Sequence, residues 1–155
     1  MLPHINIVYC LYSMPGILIV DDNASIRHLL RVFVETQTQF TVCGEARHGV
    51  DGIQRAKELN PDLILLDLSM PVLGGAEAAS VLRKELPWVK IVLFSMHTED
   101  VPKTVAAKIG VDLTLSKIDG IAKLPEHLKQ LLSSGAHPGS AADARSAPIQ
   151  GSSRN

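Results

Sequence analysis

The sequence predicts an α/β protein in which a doubly wound, five-stranded parallel sheet carries helices on both faces. Three observations support this fold class. Short apolar runs typical of strands alternate five times with segments of helical periodicity. Three of these runs are apolar at every position, as expected for strands buried on both faces of a parallel sheet. The right-handed crossovers that join such strands place the intervening helices on both sides of the sheet.

Five runs are the candidate strands. The three strongest extend from Ile17 to Val20, from Leu63 to Leu66 and from Ile91 to Phe94. A weaker run from Phe40 to Cys43 and a late run from Leu113 to Leu115 have polar neighbours. We therefore expect the first three strands in the interior of the sheet and the other two at its edges.

Between the strands, apolar residues recur at spacings of three and four, which is typical of amphipathic helices. The five stripes are Ile26, Leu29, Leu30, Phe33 and Val34; Val50, Ile53, Ala56 and Leu59; Ala78, Leu82 and Leu86; Val101, Val105 and Ile109; and Leu128, Leu131 and Leu132. The third helix should end before Pro87 and the fourth at Gly110. Pro125 fits the first turn of the fifth helix.

The chain length of 155 residues fits one ordinary domain, and all predicted elements fall within residues 14–132. We interpret residues 1–13 as an N-terminal extension or an over-extended start, because Met14 begins the run MPGILIVDDN as a natural start would. Residues 133–155 are small and polar without apolar periodicity, which predicts a disordered tail. Such a tail is too short to hold an output domain.

Composition argues against several classes of function. The net charge is -1 without a basic stripe, so binding to DNA or RNA is not favoured. The apolar start lacks the features of a signal peptide or membrane span. Cys10 and Cys43 form no close pair and the six histidines show no metal-ligand spacing, which disfavours a disulfide scaffold or a zinc site. A reducing, cytoplasmic location is expected.

Polar residues follow four of the predicted strands. Asp21 and Asp22 follow the first strand, Asp67 the third, Ser95 the fourth and Lys117 the fifth. In a doubly wound sheet the carboxyl ends of parallel strands meet at one edge, where ligands bind. We therefore expect three carboxylates, one hydroxyl and one ammonium group to converge there.

This set of groups suits phosphoryl chemistry with a bound magnesium ion. Three neighbouring carboxylates repel one another, and a hard cation such as Mg²⁺ relieves that repulsion. Because Mg²⁺ keeps several waters and takes few carboxylates, Asp67 is left able to act as a nucleophile towards phosphorus. Lys117 and Ser95 can then contact phosphoryl oxygens.

Each residue also has a simpler structural explanation. Asp22 or Asn23 could cap the first helix, and Asp67 could stabilise a turn. Ser95 could be a hydroxyl in a turn at the end of a strand, and Lys117 a solvated surface charge. These explanations are strong for single residues but weak for the set as a whole.

Four motifs carry a family resemblance: ILIVDDN, PDLILLDLSMP followed by GG, VLFSM and LSK. In this order and spacing they resemble the receiver domains of bacterial response regulators, over about residues 15–132. The chain is similar to CheY-like phosphoacceptor domains, and VLFSMH is similar to receivers of the NarL/FixJ type. The resemblance implies a flavodoxin-like sheet with strand order 2-1-3-4-5.

The resemblance also implies roles for the acidic residues. Asp67 matches the phosphoacceptor of the family. Asp21, Asp22 and Asp67 match the carboxylates at the Mg²⁺ ion, and the backbone carbonyl of Ser69 matches a further ligand. By the same comparison, Ser95 corresponds to the switch hydroxyl and Lys117 to the family's lysine.

Three positions depart from the family pattern. Thr114 stands where many receivers have Tyr or Phe, which predicts a weaker or differently wired link to Ser95. Met96 stands where a small residue is common, and its flexible side chain could lie over the pocket mouth and slow loss of the phosphoryl group. Ile118 replaces a common proline, so we expect no cis prolyl bond and a less fixed loop.

The resulting expectation is a stand-alone receiver that accepts a phosphoryl group on Asp67 from a sensor histidine kinase or a phosphotransfer protein. It would catalyse its own phosphorylation and dephosphorylation and act as a switch towards an unidentified downstream protein. It would act without a DNA-binding domain and would not be a turnover enzyme.

Two other functions are compatible with parts of the sequence. One alternative is a pseudo-receiver scaffold whose partner binding does not depend on phosphate, as Thr114 suggests. The other is an aspartyl phosphatase. Enzymes of that kind generally have a second acid two residues beyond the nucleophile, where this chain has Ser69, so this function is remote.

Overall fold

Five strands and five helices alternate in the computed structural model, which describes residues 14–96 and 101–133. The strands are β1 (Gly16–Val20), β2 (Thr41–Ala46), β3 (Leu63–Asp67), β4 (Lys90–Ser95) and β5 (Leu113–Ser116). The helices are α1 (Ala24–Gln37), α2 (Gly49–Leu59), α3 (Gly75–Glu85), α4 (Lys103–Ile109) and α5 (Leu124–Ser133), with a 3₁₀ turn over Ile121–Lys123 before α5. The predicted N-terminal extension lies outside the described residues, as does the predicted tail apart from Ser133, which ends α5.

All strand pairs in the sheet are parallel and the order is β2-β1-β3-β4-β5. The doubly wound fold and the strand order implied by the resemblance are therefore confirmed. Strands β2 and β5 form the two edges, as their polar neighbours predicted. One irregularity occurs between β1 and β2, where the register shifts after Ile17.

Alternating residues of the strands face two separate hydrophobic cores, because successive side chains point to opposite faces of a sheet. On one face, Leu18, Ile64 and Leu93 pack with residues of α2, α3 and α4. On the other face, Ile19 and Leu65 pack with residues of α1 and α5. This division gives the three-layer arrangement that right-handed crossovers require.

Two elements differ from their predictions by two or more residues at one end. Strand β2 continues through Gly44 and Glu45, which interrupt the apolar run, because Glu45 is held at this edge by arginines of α1. Helix α4 begins at Lys103 and not at Val101. The following Pro102 disfavours helical backbone angles at Val101 and itself has the extended ψ of 143°.

The predicted helix ends are confirmed in α3, α4 and α5. Helix α3 ends two residues before Pro87, and Pro125 lies in the first turn of α5. Helix α4 stops at Gly110, whose φ of 81° is favourable only without a Cβ atom. None of the described helices is long and apolar enough to span a lipid bilayer.

Candidate functional site

The polar residues predicted at one edge of the sheet meet there. Asp21 follows β1 directly, Asp67 and Ser95 are the last residues of β3 and β4, and Lys117 follows β5. The exposed fractions of Asp21, Asp67 and Ser95 are 2%, 4% and 3%. Burial of three polar residues at the ends of adjacent parallel strands marks this edge as the candidate site.

The three predicted carboxylates form one cluster. Asp21, Asp22 and Asp67 each offer an oxygen, and these oxygens lie within 4.8 Å of one another. Backbone N–H groups orient two of the carboxylates: Asn23 donates to Asp21 Oδ1 at 2.8 Å and Ser69 donates to Asp67 Oδ1 at 3.3 Å. The Asp22 carboxylate is exposed at the mouth of the cluster.

Lys117, which directly follows β5, contacts two carboxylates of this cluster. Its Nζ lies 2.6 Å from Asp21 Oδ2 and 3.0 Å from Asp67 Oδ1. Burial raises the pKa of Asp67 above its usual value, with the Asp21 charge adding to this, although the Lys117 hydrogen bond acts in the other direction. Burial alone lowers the pKa of Lys117, but its hydrogen bonds to both carboxylates outweigh burial and raise it.

The charges of the cluster fit a divalent cation. One ammonium group faces three carboxylates, and two of those carboxylates are buried. A hard cation that prefers oxygen ligands would offset the remaining negative charge. The donor set here, carboxylate oxygens within 4.8 Å of one another, suits Mg²⁺. The backbone carbonyl of Ser69 as a further ligand remains a prediction.

Asn23, and not Asp22, caps α1. Its side-chain oxygen accepts hydrogen bonds from Ser25 N and Ile26 N at 2.9 Å and 3.3 Å. Asp22 therefore does not cap the helix, and its carboxylate remains able to take part in the acidic cluster.

Ser95 connects the ends of β4 and β5. Its carbonyl accepts a hydrogen bond from Lys117 N at 2.8 Å. Beyond Lys117, Ser116 Oγ accepts from Ile118 N at 3.1 Å and Ser116 O accepts from Gly120 N at 2.9 Å. None of the described peptide bonds is cis, which agrees with the prediction for Ile118. Three hydrogen bonds connect residues of this loop, and its looser hold relative to receivers with a proline there stays a prediction.

The loop after Asp67 is shaped by a close approach of backbone to backbone. Gly75 N donates to Leu68 O at 2.9 Å, and a Cβ on Gly75 would lie 2.1 Å from Asp67 O. Within the loop, Leu73 N donates to Pro71 O at 2.9 Å around Val72, whose φ is 70°. This tight turn fixes the segment that carries Ser69.

The two remaining predicted positions lie at the margin of the site. Met96 follows Ser95 and is 53% exposed, and residues 97–100 beyond it lie outside the described part of the chain. Thr114 is half-buried in β5 and pairs with Leu93. A groove of about 800 Å³ opens beside Thr114, bounded by α4, by Lys123 just before α5 and by His127 within α5.

Sequence reasoning missed Arg27 and Glu45. Arg27 Nη1 donates to the backbone carbonyl of Asp21 at 2.8 Å, and its Nε donates to Glu45 Oε2 at 3.1 Å. A basic residue beside the apolar stripe of α1 is the available signal, but it does not reveal the partner on β2.

Comparison with known proteins agrees with the fold. The family model described as "Response regulator receiver domain" matches residues 17–129. The chain is 35% identical over 114 residues to the response regulator protein VraR of Staphylococcus saprophyticus, covering 74% of this chain and 54% of VraR. The chain thus spans about half the length of the curated relatives it matches.

Two solved structures are similar over most of the described residues. The response regulator domain of Thermotoga maritima CheB has a TM-score of 0.72 at 28% identity, covering 79% of this chain and 99% of that domain. The response regulator TrrA of the same organism has a TM-score of 0.70 at 28% identity, covering 77% of this chain and all of TrrA, 100%. With its family motifs, its strand order and its acidic pocket, this chain belongs to the response regulator receiver domains of two-component systems.

Proposed function

We propose that this receiver accepts a phosphoryl group on Asp67 from the phosphohistidine of a sensor histidine kinase or phosphotransfer protein. One observation carries the proposal: the buried Asp67 carboxylate lies 3.0 Å from Lys117 Nζ within an acidic cluster. A buried nucleophile between a cation and carboxylates suited to Mg²⁺ is the arrangement that phosphoryl transfer needs.

In the transfer, an Asp67 carboxylate oxygen forms a bond to phosphorus while the phosphorus–nitrogen bond of the phosphohistidine breaks. The electron pair of the broken bond stays on the imidazole nitrogen, and the histidine leaves as a neutral imidazole that keeps the proton on its other nitrogen. Hydrolysis of the acyl phosphate by water later returns Asp67 to a carboxylate and releases inorganic phosphate.

Four groups of the chain assist this chemistry. Asp21, Asp22 and the backbone carbonyl of Ser69 would hold Mg²⁺ together with Asp67. When bound, the ion supplies positive charge against the phosphoryl oxygens. Lys117 Nζ places a second positive charge beside the Asp67 carboxylate. The similar structure of TrrA was determined in complex with Mg²⁺-BeF, which supports a comparable site here.

The test is incubation of the purified chain with acetyl phosphate, with Mg²⁺ or with EDTA, followed by intact mass measurement. We expect one phosphoryl adduct in the presence of Mg²⁺ and none in EDTA. Asp67→Asn should abolish the adduct. Asp119→Asn is a matched control, because Asp119 is exposed after Lys117 and lies outside the cluster. A folded wild-type protein without an adduct would refute the proposal.

The phosphorylated receiver would signal to a downstream protein that is still to be identified. The chain spans about half the length of its curated relatives, so signalling to a downstream protein is proposed and not inferred from those relatives. We also propose a cytoplasmic location, since two cysteines without a close pair suit a reducing compartment.

A pseudo-receiver scaffold is the second candidate, and Thr114 favours it. A threonine cannot bury the area of an aromatic ring at this half-buried position of β5, so coupling between the pocket and the groove beside α4 would be weak. Amide hydrogen exchange of Lys103–Ile109 with and without phosphorylation separates the two candidates. Altered exchange favours the switch, and identical exchange favours the scaffold.

A further inference from the structure

An ion-pair network lies against the turn that carries Asp21 and Asp22. The Arg27 side chain is only 13% exposed. Its Nη1 donates to the carbonyl oxygens of Asp21 and Asp22 at 2.8 Å and 3.4 Å, while its Nε donates to Glu45 Oε2 at 3.1 Å. One guanidinium group therefore joins α1, the β1–α1 turn and β2.

Glu45 is itself fixed from a second direction. Its Oε1 accepts a hydrogen bond from Arg31 Nε at 2.6 Å, so the two carboxylate oxygens are bound by two different arginines of α1. The next residue of β2, Ala46, accepts a hydrogen bond from Asp21 N at 3.1 Å. The orientation of the Arg27 guanidinium is thus set by the same strand that pairs with the turn.

The backbone contacts matter most for Asp22. The Asp21 carboxylate is held by Lys117 Nζ and by Asn23 N. Within the described part of the chain, no side chain or N–H group donates to the carboxylate of Asp22. The position of that carboxylate therefore depends on the backbone of the turn, which Arg27 holds at both carbonyls.

We propose that Arg27 is a positioning residue that fixes the β1–α1 turn so that Asp21 and Asp22 present their carboxylates to a divalent cation, with Glu45 orienting its guanidinium. The inference rests on the proposed function, because that function places the cation at this pocket. Hydrogen-bond partners of metal ligands commonly change metal affinity when they are removed.

Two effects of Arg27 on Mg²⁺ affinity have opposite signs. Arg27 is a cation close to the cluster, so neutralising it would strengthen Mg²⁺ binding if only long-range electrostatics mattered. If the guanidinium instead positions the turn, neutralising it weakens Mg²⁺ binding. The sign of the change in affinity thus separates the two effects.

The test is an Mg²⁺ titration of the full chain followed by amide NMR shifts at the β1–α1 turn and at Ser69, which reports only on folded molecules. Arg27→Gln is expected to raise the Mg²⁺ dissociation constant roughly tenfold, which means weaker binding. Arg27→Lys should raise the dissociation constant by a smaller factor but should not keep the wild-type value, since an ammonium group cannot reproduce the fork of hydrogen bonds. Glu45→Gln should raise the Mg²⁺ dissociation constant as well.

Arg83→Gln is the matched control. The Arg83 guanidinium also binds carbonyls, those of Gly110 and Val89, and one carboxylate, that of Asp112, but it lies at the amino ends of the strands. The Arg83→Gln substitution should lower the stability of the fold without changing Mg²⁺ affinity. Unchanged or stronger Mg²⁺ binding in Arg27→Gln would overturn the inference. Failure of the wild type to bind Mg²⁺ would instead refute the proposed function.

Discussion

Lys117 and Asp21 are 96 residues apart in the sequence, yet their side chains form a 2.6 Å ion pair at the carboxyl edge of the sheet. The pair is almost fully buried, with side-chain exposures of 9% for Lys117 and 2% for Asp21. Because Asp67 Oδ1 lies 3.0 Å from the same ammonium group, Lys117 compensates two buried carboxylates at once.

Removal of this cation should destabilise the fold. Lys117→Gln leaves the carboxylates of Asp21 and Asp67 without their counter-charge, and we expect a loss of about 3 kcal/mol in EDTA. Added Mg²⁺ should restore part of the loss through binding to the native state. Urea unfolding at pH 7 measures both effects. Lys57→Gln, which breaks an exposed ion pair with Glu85, should cost less than about 1 kcal/mol.

Gly75 should tolerate no side chain. A Cβ atom there would lie 2.1 Å from the carbonyl oxygen of Asp67 and must displace the end of β3. We expect Gly75→Ala to lower the free energy of unfolding by about 3 kcal/mol and to reduce phosphorylation of Asp67. In Gly74→Ala the new atom would come closer than 3 Å only to the flexible end of Glu77, at 2.8 Å, with the backbone oxygen of Leu68 at an ordinary 3.5 Å. If urea unfolding gave equal losses for the two variants, the close approach at Gly75 would not be the cause.

Most of the fold could be predicted from the sequence because its interior strands are apolar at every position. The runs at Ile17, Leu63 and Ile91 leave no doubt about their burial, and the sheet places all three inside. The exact extent of the edge strand β2 was harder to predict. Glu45 lies in β2 because two arginines of α1 bind it, and a contact between distant elements leaves no periodic signal in either segment.

The residues gathered at the site could be predicted for a related reason. Parallel strands end at one edge, so Asp21, Asp67 and Lys117 had to approach each other once the strands were assigned. The positive φ of Val72 could not be predicted, because a β-branched residue disfavours it and the surrounding loop imposes it. The contact of Arg27 with the backbone of the turn could not be predicted either, because it joins separate elements and leaves no periodic signal in the sequence.

Glu45 gives the fold a defined acid sensitivity. Its hydrogen bond with Arg31, followed by that with Arg27, lowers the pKa of Glu45 below its usual value of 4.5. The unfolded chain therefore binds more protons in this range, so the contribution of Glu45 to stability is fully present above pH 4.5 and is lost as pH falls through the lower, folded-state pKa.

Glu45→Gln should remove this part of the pH dependence. We expect it to lower the free energy of unfolding at pH 7 by about 1 kcal/mol and by less at pH 3. Urea midpoints measured across this range provide the comparison. Glu35→Gln is the control, since Arg31 is the only ion-pair partner of Glu35 among the described residues and Glu35 is 43% exposed. An equal loss at both pH values would contradict the role of the lowered pKa.

A single substitution at Val72 should raise the free energy of unfolding. Its φ of 70° is strained for a β-branched residue, and its exposed fraction of 92% means that replacement costs little buried surface. Asn tolerates this conformation, so Val72→Asn should raise the free energy of unfolding by about 1 kcal/mol. Thermal unfolding measures the gain. Val50→Asn, at an exposed position inside α2, should give no gain, and a similar gain there would remove the strain explanation.

Met96 is expected to control how long the phosphoryl group persists. Its side chain follows Ser95 at the margin of the pocket and is 53% exposed, so it is available to restrict the approach of water to a phosphorylated Asp67. If it does so, Met96→Ala should shorten the lifetime of the adduct severalfold while leaving the extent of phosphorylation by acetyl phosphate intact. The lifetime is measured by intact mass after removal of the donor, with Val105→Ala as a control at an exposed apolar position of α4. An unchanged lifetime would mean that Met96 only packs beside the strand and that water reaches the acyl phosphate by another path.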